Sequence, residues 1–176
     1  MDAAISQLQV QDNRERVAAI QKLQAVLDRN QKSLNATDVG NLLNATVDLL
    51  KDRDHEVCQG ALHVLASAAS LAGDRLQLDF MALLPAIIDR LGDDKQSVRD
   101  AGRGLLLALM QVIFSPTMVI ERISTNASQH YNCKVREEFV RVLDSAIRLF
   151  SLDELPVVQL LLPVVKSKNL HFLFWT

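Results

Sequence analysis

The chain holds 176 residues, 49% hydrophobic and 23% charged, which is long and apolar enough to bury a sizeable core and excludes a disordered polymer. Nineteen basic against twenty-one acidic side chains leave a net charge of −2, with no basic excess for nucleic acid or a membrane surface, so any partner is met by a local patch. Aromatics are only 5%, and six glycines and four prolines are poor material for strands and turns, so the chain is predicted to be one nearly all-α domain.

Helix punctuation is frequent, and the segments between the marks carry apolar residues at a period of 3.6, predicting about nine helices. The first is short, Ala3 to Val10. Asp12 with Glu15 three residues on forms a capping box for a second, running to about Asp28. Thr37 opens a third, carrying Val39, Leu42, Leu43, Val47 and Leu50, and Asp54 opens a fourth, carrying Val57, Ala61, Val64, Leu65 and Ala68 until Gly73 stops it. Asp74 with Gln77 opens a fifth, ending near Leu91, and Asp94 opens a sixth from Ser97 through Val112. Ser115 before Pro116 is a cap followed by proline at the first helical position, where the missing N–H costs nothing. A seventh helix follows, then an eighth from about Asn132 to Phe150. Ser151 with Glu154 opens a ninth that reaches about Val165.

Short helices in pairs invite a search for repeats, and an offset of 41 residues supplies one. LLNATVDLLKDRDHEVCQGALHVL, from Leu42, falls on LLPAIIDRLGDDKQSVRDAGRGLL, from Leu83. Asp48 then lands on Asp89, Leu50 on Leu91, Asp52 on Asp93, Val57 on Val98 and Val64 on Leu105. A shift of 37 carries Val98-Arg99 onto Val135-Arg136, and Arg16 to Leu23 aligns one unit upstream as a second helix. The chain therefore reads as a tandem array of helical hairpins, each needing its neighbour to bury its apolar face.

Leucines, an aspartate just after the first helix, Val-Arg at the start of the second and Pro85 inside a first helix together resemble the HEAT repeat, over about four and a half hairpins. More narrowly, DRLGDDKQSVRDA and KVREEFVRVL resemble a TOG domain of the CLASP family, most similar to the first TOG domain of plant-type members. The resemblance implies an α-α superhelix over residues 1–166 with an atypical apolar tail at 167–176. It implies a microtubule-associated, cytoplasmic monomer that binds tubulin or microtubules through the turns within the hairpins, stabilises microtubules and serves at the cortex, spindle and phragmoplast in cell division. No cofactor, metal, nucleic acid or membrane insertion is implied. The family's full domain has six hairpins, so the final turn is expected to be absent where LLLPVVKSKNLHFLFWT ends the chain, and a truncated or mis-spliced product is one reading of that ending.

Carried onto this chain, the turns are Asp12 to Arg16, Lys51 to Val57, Gly92 to Val98 and Tyr131 to Val135. Arg14, Lys51, Arg53, Lys95 and Lys134 would face an acidic surface, each rim contact contributing ~0.2–1 kcal/mol and mainly steering association. His55, Gln96, Tyr131 and Asn132 would add polar and aromatic contact area. Asp93 with Arg99, and Arg136, are expected to form a structural ladder inside the stack. The first turn, QDNRER, lacks the tryptophan of the tubulin-polymerase branch, so weak affinity for free tubulin is expected.

Other chemistries find little support. Cys58 and Cys133 are too few for a disulfide framework, which predicts a reducing, intracellular setting, and no apolar run reaches the ~18 residues of a membrane span. The acceptor triplets at Asn35, Asn44 and Asn126 have no leader before them and are not read as glycosylation sites. His55, Cys58 and His63 share a helix but lack further ligands at metal spacing, and no nucleophile elbow, phosphate loop or HExxH motif occurs, so no enzyme is expected. Two alternatives stand beside microtubule binding: a HEAT scaffold or adaptor for another protein complex, using its concave helical face, and a truncated fragment without binding function.

Overall fold

Where the hydrophobic period is strongest, the helices follow it closely. The computed structural model describes residues 5–6, 8, 12–29, 36–72, 77–151 and 155. Among them run α1 (Asn13–Arg29), α2 (Ala36–Val47), α3 (His55–Ala72), α4 (Gln77–Arg90), α5 (Gln96–Val112), α6 (Pro116–Ala127) and α7 (Cys133–Leu149). The two repeat offsets reappear in the helix starts. Ala36 and His55 map onto Gln77 and Gln96 at 41, and Gln96 maps onto Cys133 at 37.

α5 buries Val98, Ala101, Gly102, Leu105, Leu106, Leu109 and Met110, the i, i+3, i+4, i+7 stripe of a helix with one face in a core. α7 repeats the stripe 37 residues later with Val135, Glu138, Phe139, Val142, Leu143 and Ala146, and it places a carboxylate where α5 has Ala101. Large side chains on these stripes, such as Leu105 and Phe139, are almost wholly withdrawn from water, each contributing about 1.5–3 kcal/mol. α1, α3, α5 and α7 pack side by side as one layer, while α2, α4 and α6 form the other. This is the two-layer helical solenoid the repeats predict.

Local rules set the turns. Asp12 Oδ1 accepts from the backbone N–H of Arg14 at 2.7 Å and of Glu15 at 3.3 Å, and Asp54 Oδ1 accepts from Glu56 N at 2.9 Å. Ser115 caps α6 through Met118 N at 3.3 Å with Pro116 in the first turn, and Asn132 caps α7 through Lys134 N at 3.0 Å. Two expectations need correction. Asp94 does not open α5: the N-cap position is Lys95, whose N–H is held by Asp93 Oδ1 at 2.9 Å. The third helix does not continue regularly to Leu50. It ends at Val47 and tightens into a 3₁₀ turn over Asp48–Lys51, just after the buried Thr46 hydroxyl bonds back to the carbonyls of Leu42 and Leu43.

Among the described residues no helix is long and apolar enough to cross a membrane. The Gly73 stop, the Asp74 cap, the Ser151–Glu154 box with the ninth helix, most of Ala3–Val10, and the boundary at 166 with its tail lie outside the described residues.

Candidate functional site

The turns that join the layers lie in a row along one edge of the stack, and side chains lock them together in pairs. Asn13 Nδ2 reaches Asp54 Oδ2 at 2.9 Å, and Arg16 pairs with Asp52, joining the first turn to the second. Asn132 Nδ2 donates to the Gly92 carbonyl at 3.0 Å, joining the fourth to the third. That approach leaves no room for a side chain at residue 92, where a Cβ would fall 2.6 Å from Asn132 Nδ2 and 2.8 Å from Val135 Cγ2.

The edge carries both signs of charge, and they are used differently. Asp12, Asp52, Asp54 and Asp93 each accept a backbone N–H within their own turn, so these carboxylates are engaged in turning the chain. Arg14, Lys51, Arg53 and Lys95 are exposed and form no ion pair among the described residues. His55 is exposed beside them, and Tyr131 is 91% exposed, stacked on His130 with ring centroids 4.4 Å apart. Lys134 belongs to the same row, but its Nζ lies 2.6 Å from Asp94 Oδ1. That hydrogen bond and the lysine's charge hold the Asp94 carboxyl below its ordinary value. Asn132 is engaged at both ends of its amide, and Gln96 bonds to Asp100 at 2.8 Å and to Glu138 at 3.3 Å, so these two serve the fold's own contacts.

Arg99 and Arg136 occupy equivalent positions and behave alike. Each sends Nη1 back to two main-chain carbonyls of the preceding turn: Asp93 at 2.7 Å and Asp94 at 3.1 Å for Arg99, His130 at 2.5 Å and Tyr131 at 3.1 Å for Arg136. The expected Arg99–Asp93 contact is thus to the carbonyl, because the Asp93 carboxylate is taken by Lys95 N and, at 3.4 Å, by Arg90. At the equivalent place in α3 stands Cys58, whose buried thiol is pushed up by burial, against a lowering from the nearby Arg90 guanidinium.

Beneath the third and fourth turns lies a cluster that sequence reasoning missed. Glu138, with a side chain 2% exposed, meets Arg103 in a hydrogen-bonded pair, Arg99 at 3.4 Å and Arg141 at 3.8 Å. The signal was present, since a glutamate on an otherwise apolar stripe needs partners. In the other layer a shallow surface cavity of about 490 Å³ is lined by Pro85, Ile88 and Asp89 of α4, by Thr125 and Asn126 of α6 and by Gln129, His130 and Tyr131 after it.

No family model matches the chain. It is 46% identical over 170 residues to a CLIP-associated protein of Arabidopsis thaliana, an alignment covering 96% of this chain and 12% of that relative. A crystal structure of the MAST/Orbit N-terminal domain superposes with a TM-score of 0.87 at 27% identity, over 97% of this chain and 77% of that one. A TOG-domain structure solved for tubulin recruitment and assembly by microtubule polymerases matches with a TM-score of 0.75 at 20% identity, over 97% of this chain and 36% of that one, a likeness of fold. The chain spans 11–12% of the length of the first two curated relatives it matches.

Proposed function

Since the chain belongs to the CLIP-associated protein family, we propose that it is a tubulin-binding module of the TOG type, working on microtubules through its edge of turns. The observation that carries this reading is the division of labour on that edge. Asp12, Asp52, Asp54 and Asp93 are engaged with backbone N–H groups, while Arg14, Lys51, Arg53 and Lys95 are left to solvent. A row of fixed cations on rigid helix ends attracts an acidic protein surface over a Debye length and sets its register. Arg14, Lys51, Arg53, His55, Lys95 and Tyr131 are the contacts proposed, with Lys134 joining once its partner is displaced. Asn132, Gln96, Asp93, Arg99 and Arg136 hold the turns in place. The domain acts by binding alone and contributes to microtubule stabilisation in the parent protein, with the cortex and dividing-cell arrays as its places of work.

The test is co-sedimentation with stabilised microtubules, alongside size-exclusion with free tubulin, for wild type and for Lys51→Glu, Arg53→Glu, Lys95→Glu and Lys134→Glu combined. Wild-type binding that weakens with salt and disappears in the folded quadruple variant supports the turn edge. A quadruple variant that binds as wild type does, with binding lost instead on changing exposed positions of α3 and α5, would move the site to the layer of second helices and favour an adaptor.

A further inference from the structure

One aspartate on the edge departs from the rule the other four obey. Asp12, Asp52, Asp54 and Asp93 each hold a backbone N–H, whereas the Asp94 side chain is 95% exposed and its carboxylate bonds to Lys134 Nζ at 2.6 Å, across to the neighbouring turn. The Lys134 side chain is only 38% exposed. Its backbone N–H is fixed on Asn132 Oδ1, and Asn132 in turn is tied to the Gly92 carbonyl. The third and fourth turns are therefore docked before the ion pair forms. The pair thus spans two turns whose backbones are already held together, so forming it needs no movement of one turn against the other.

We propose that Asp94 is a specificity-determining residue that holds Lys134 in an ion pair between neighbouring turns, so that this cation is released only to a partner whose own carboxylates outcompete Asp94. The inference rests on the reading of the edge as a docking surface for an acidic protein. Weakly acidic proteins meet the unpaired Lys95 beside the neutralised Lys134–Asp94 pair. A surface with closely spaced carboxylates displaces Asp94 and engages both lysines. Asp94 thereby reduces affinity for every acidic partner and reduces it most for the wrong ones, which is specificity obtained through a competing interaction.

The experiment compares wild type, Asp94→Asn, Lys134→Gln and the double variant in microtubule co-sedimentation at fixed salt, with circular dichroism to confirm folding. Freeing one rim cation should tighten binding by about two- to fivefold in Asp94→Asn. In the Lys134→Gln background the same change should have little effect. A gain of equal size with and without Lys134 would overturn the proposal, since it would mean only that a negative charge was removed. Weaker binding by Asp94→Asn would overturn it too, making Asp94 a contact in its own right. A readout independent of any partner is the Asp94 carboxyl titration followed by NMR. The titration should lie below the ordinary aspartate range in wild type and return to it in Lys134→Gln, and an unchanged titration would also overturn the proposal. If wild type fails to co-sediment at any salt concentration, the tubulin reading itself fails and the proposal falls with it. That result is distinct from one in which wild type binds and Asp94→Asn is indifferent.

Discussion

Replacing Glu138 by Gln removes one charge from the most enclosed ionic cluster of the fold while keeping the side chain's shape. The wild-type carboxylate is 2% exposed and faces Arg103, 21% exposed, and Arg99, 14% exposed, with Arg141 further out. Breaking a fully buried pair costs ~3–5 kcal/mol, chiefly because the abandoned charge cannot reach water. Here both arginines retain some access to solvent, so the loss falls toward that of a hydrogen bond to a charged group, about 2 kcal/mol. For a domain of this size that lowers Tm by roughly 4–8 °C. The cluster joins α5 to α7 just below the third and fourth turns, so its loss also loosens the spacing of Lys95 and Lys134. Urea unfolding followed by circular dichroism, on Glu138→Gln, Arg103→Gln and the double variant, gives both the loss and the coupling energy. A Glu138→Gln variant within about 0.5 kcal/mol of wild type, or losses that simply add, would refute the reasoning.

Gly92→Ala places a Cβ against Asn132 Nδ2 and Val135 Cγ2, and is expected to destabilise by about 1–3 kcal/mol and to weaken microtubule binding, measured by urea unfolding and co-sedimentation. A thiol reagent on the native protein should modify the exposed Cys133 and leave Cys58, buried with its thiol pushed up, until urea is added; equal rates would contradict the packing of α3. Burial pushes the Asp100 carboxyl up, but hydrogen bonds from Gln96 and Arg103 and the charges of Arg103 and Arg141 outweigh it and leave it below its ordinary 3.8. A depressed folded-state value contributes stability above the unfolded value that is lost as pH falls through the folded one, so Asp100→Asn should narrow the gap in urea midpoint between pH 7 and pH 3. Ser115→Ala removes the oxygen that caps α6 and should cost about 1 kcal/mol in the same assay.

The repeat was readable because the same stripe recurs with its spacing intact, from Val57 to Val98 to Val135, and each copy buries its valine completely. Caps at Asp12, Asp54 and Ser115 could be read from residue type, since a side-chain oxygen one step before an apolar run has an N–H to accept, whereas Asn132, read as a contact residue, is itself the cap of α7. Two adjacent aspartates at 93 and 94 could not be told apart in this way. Which one accepts the Lys95 N–H depends on the φ and ψ of the turn, and which one meets Lys134 depends on the stacking of the next hairpin. The cations of the edge were evident as residue types, whereas their freedom was not. Lys134 is paired, Asn132 and Gln96 are bonded within the fold, and Arg99 meets the Asp93 carbonyl and the Glu138 carboxylate rather than the carboxylate of Asp93. The contacts between hairpins among these, Lys134 with Asp94, Asn132 with Gly92 and Gln96 with Glu138, lie 40 to 42 residues apart along the chain, beyond the reach of local pattern.

The measurement closest to the central claim is hydrogen–deuterium exchange of the protein with and without tubulin. The account predicts slowed exchange over residues 51–57, 92–98 and 131–135, with the middles of α3, α5 and α7 unchanged. Protection concentrated in the middles of those helices, with the turns exchanging as in the free protein, would contradict it.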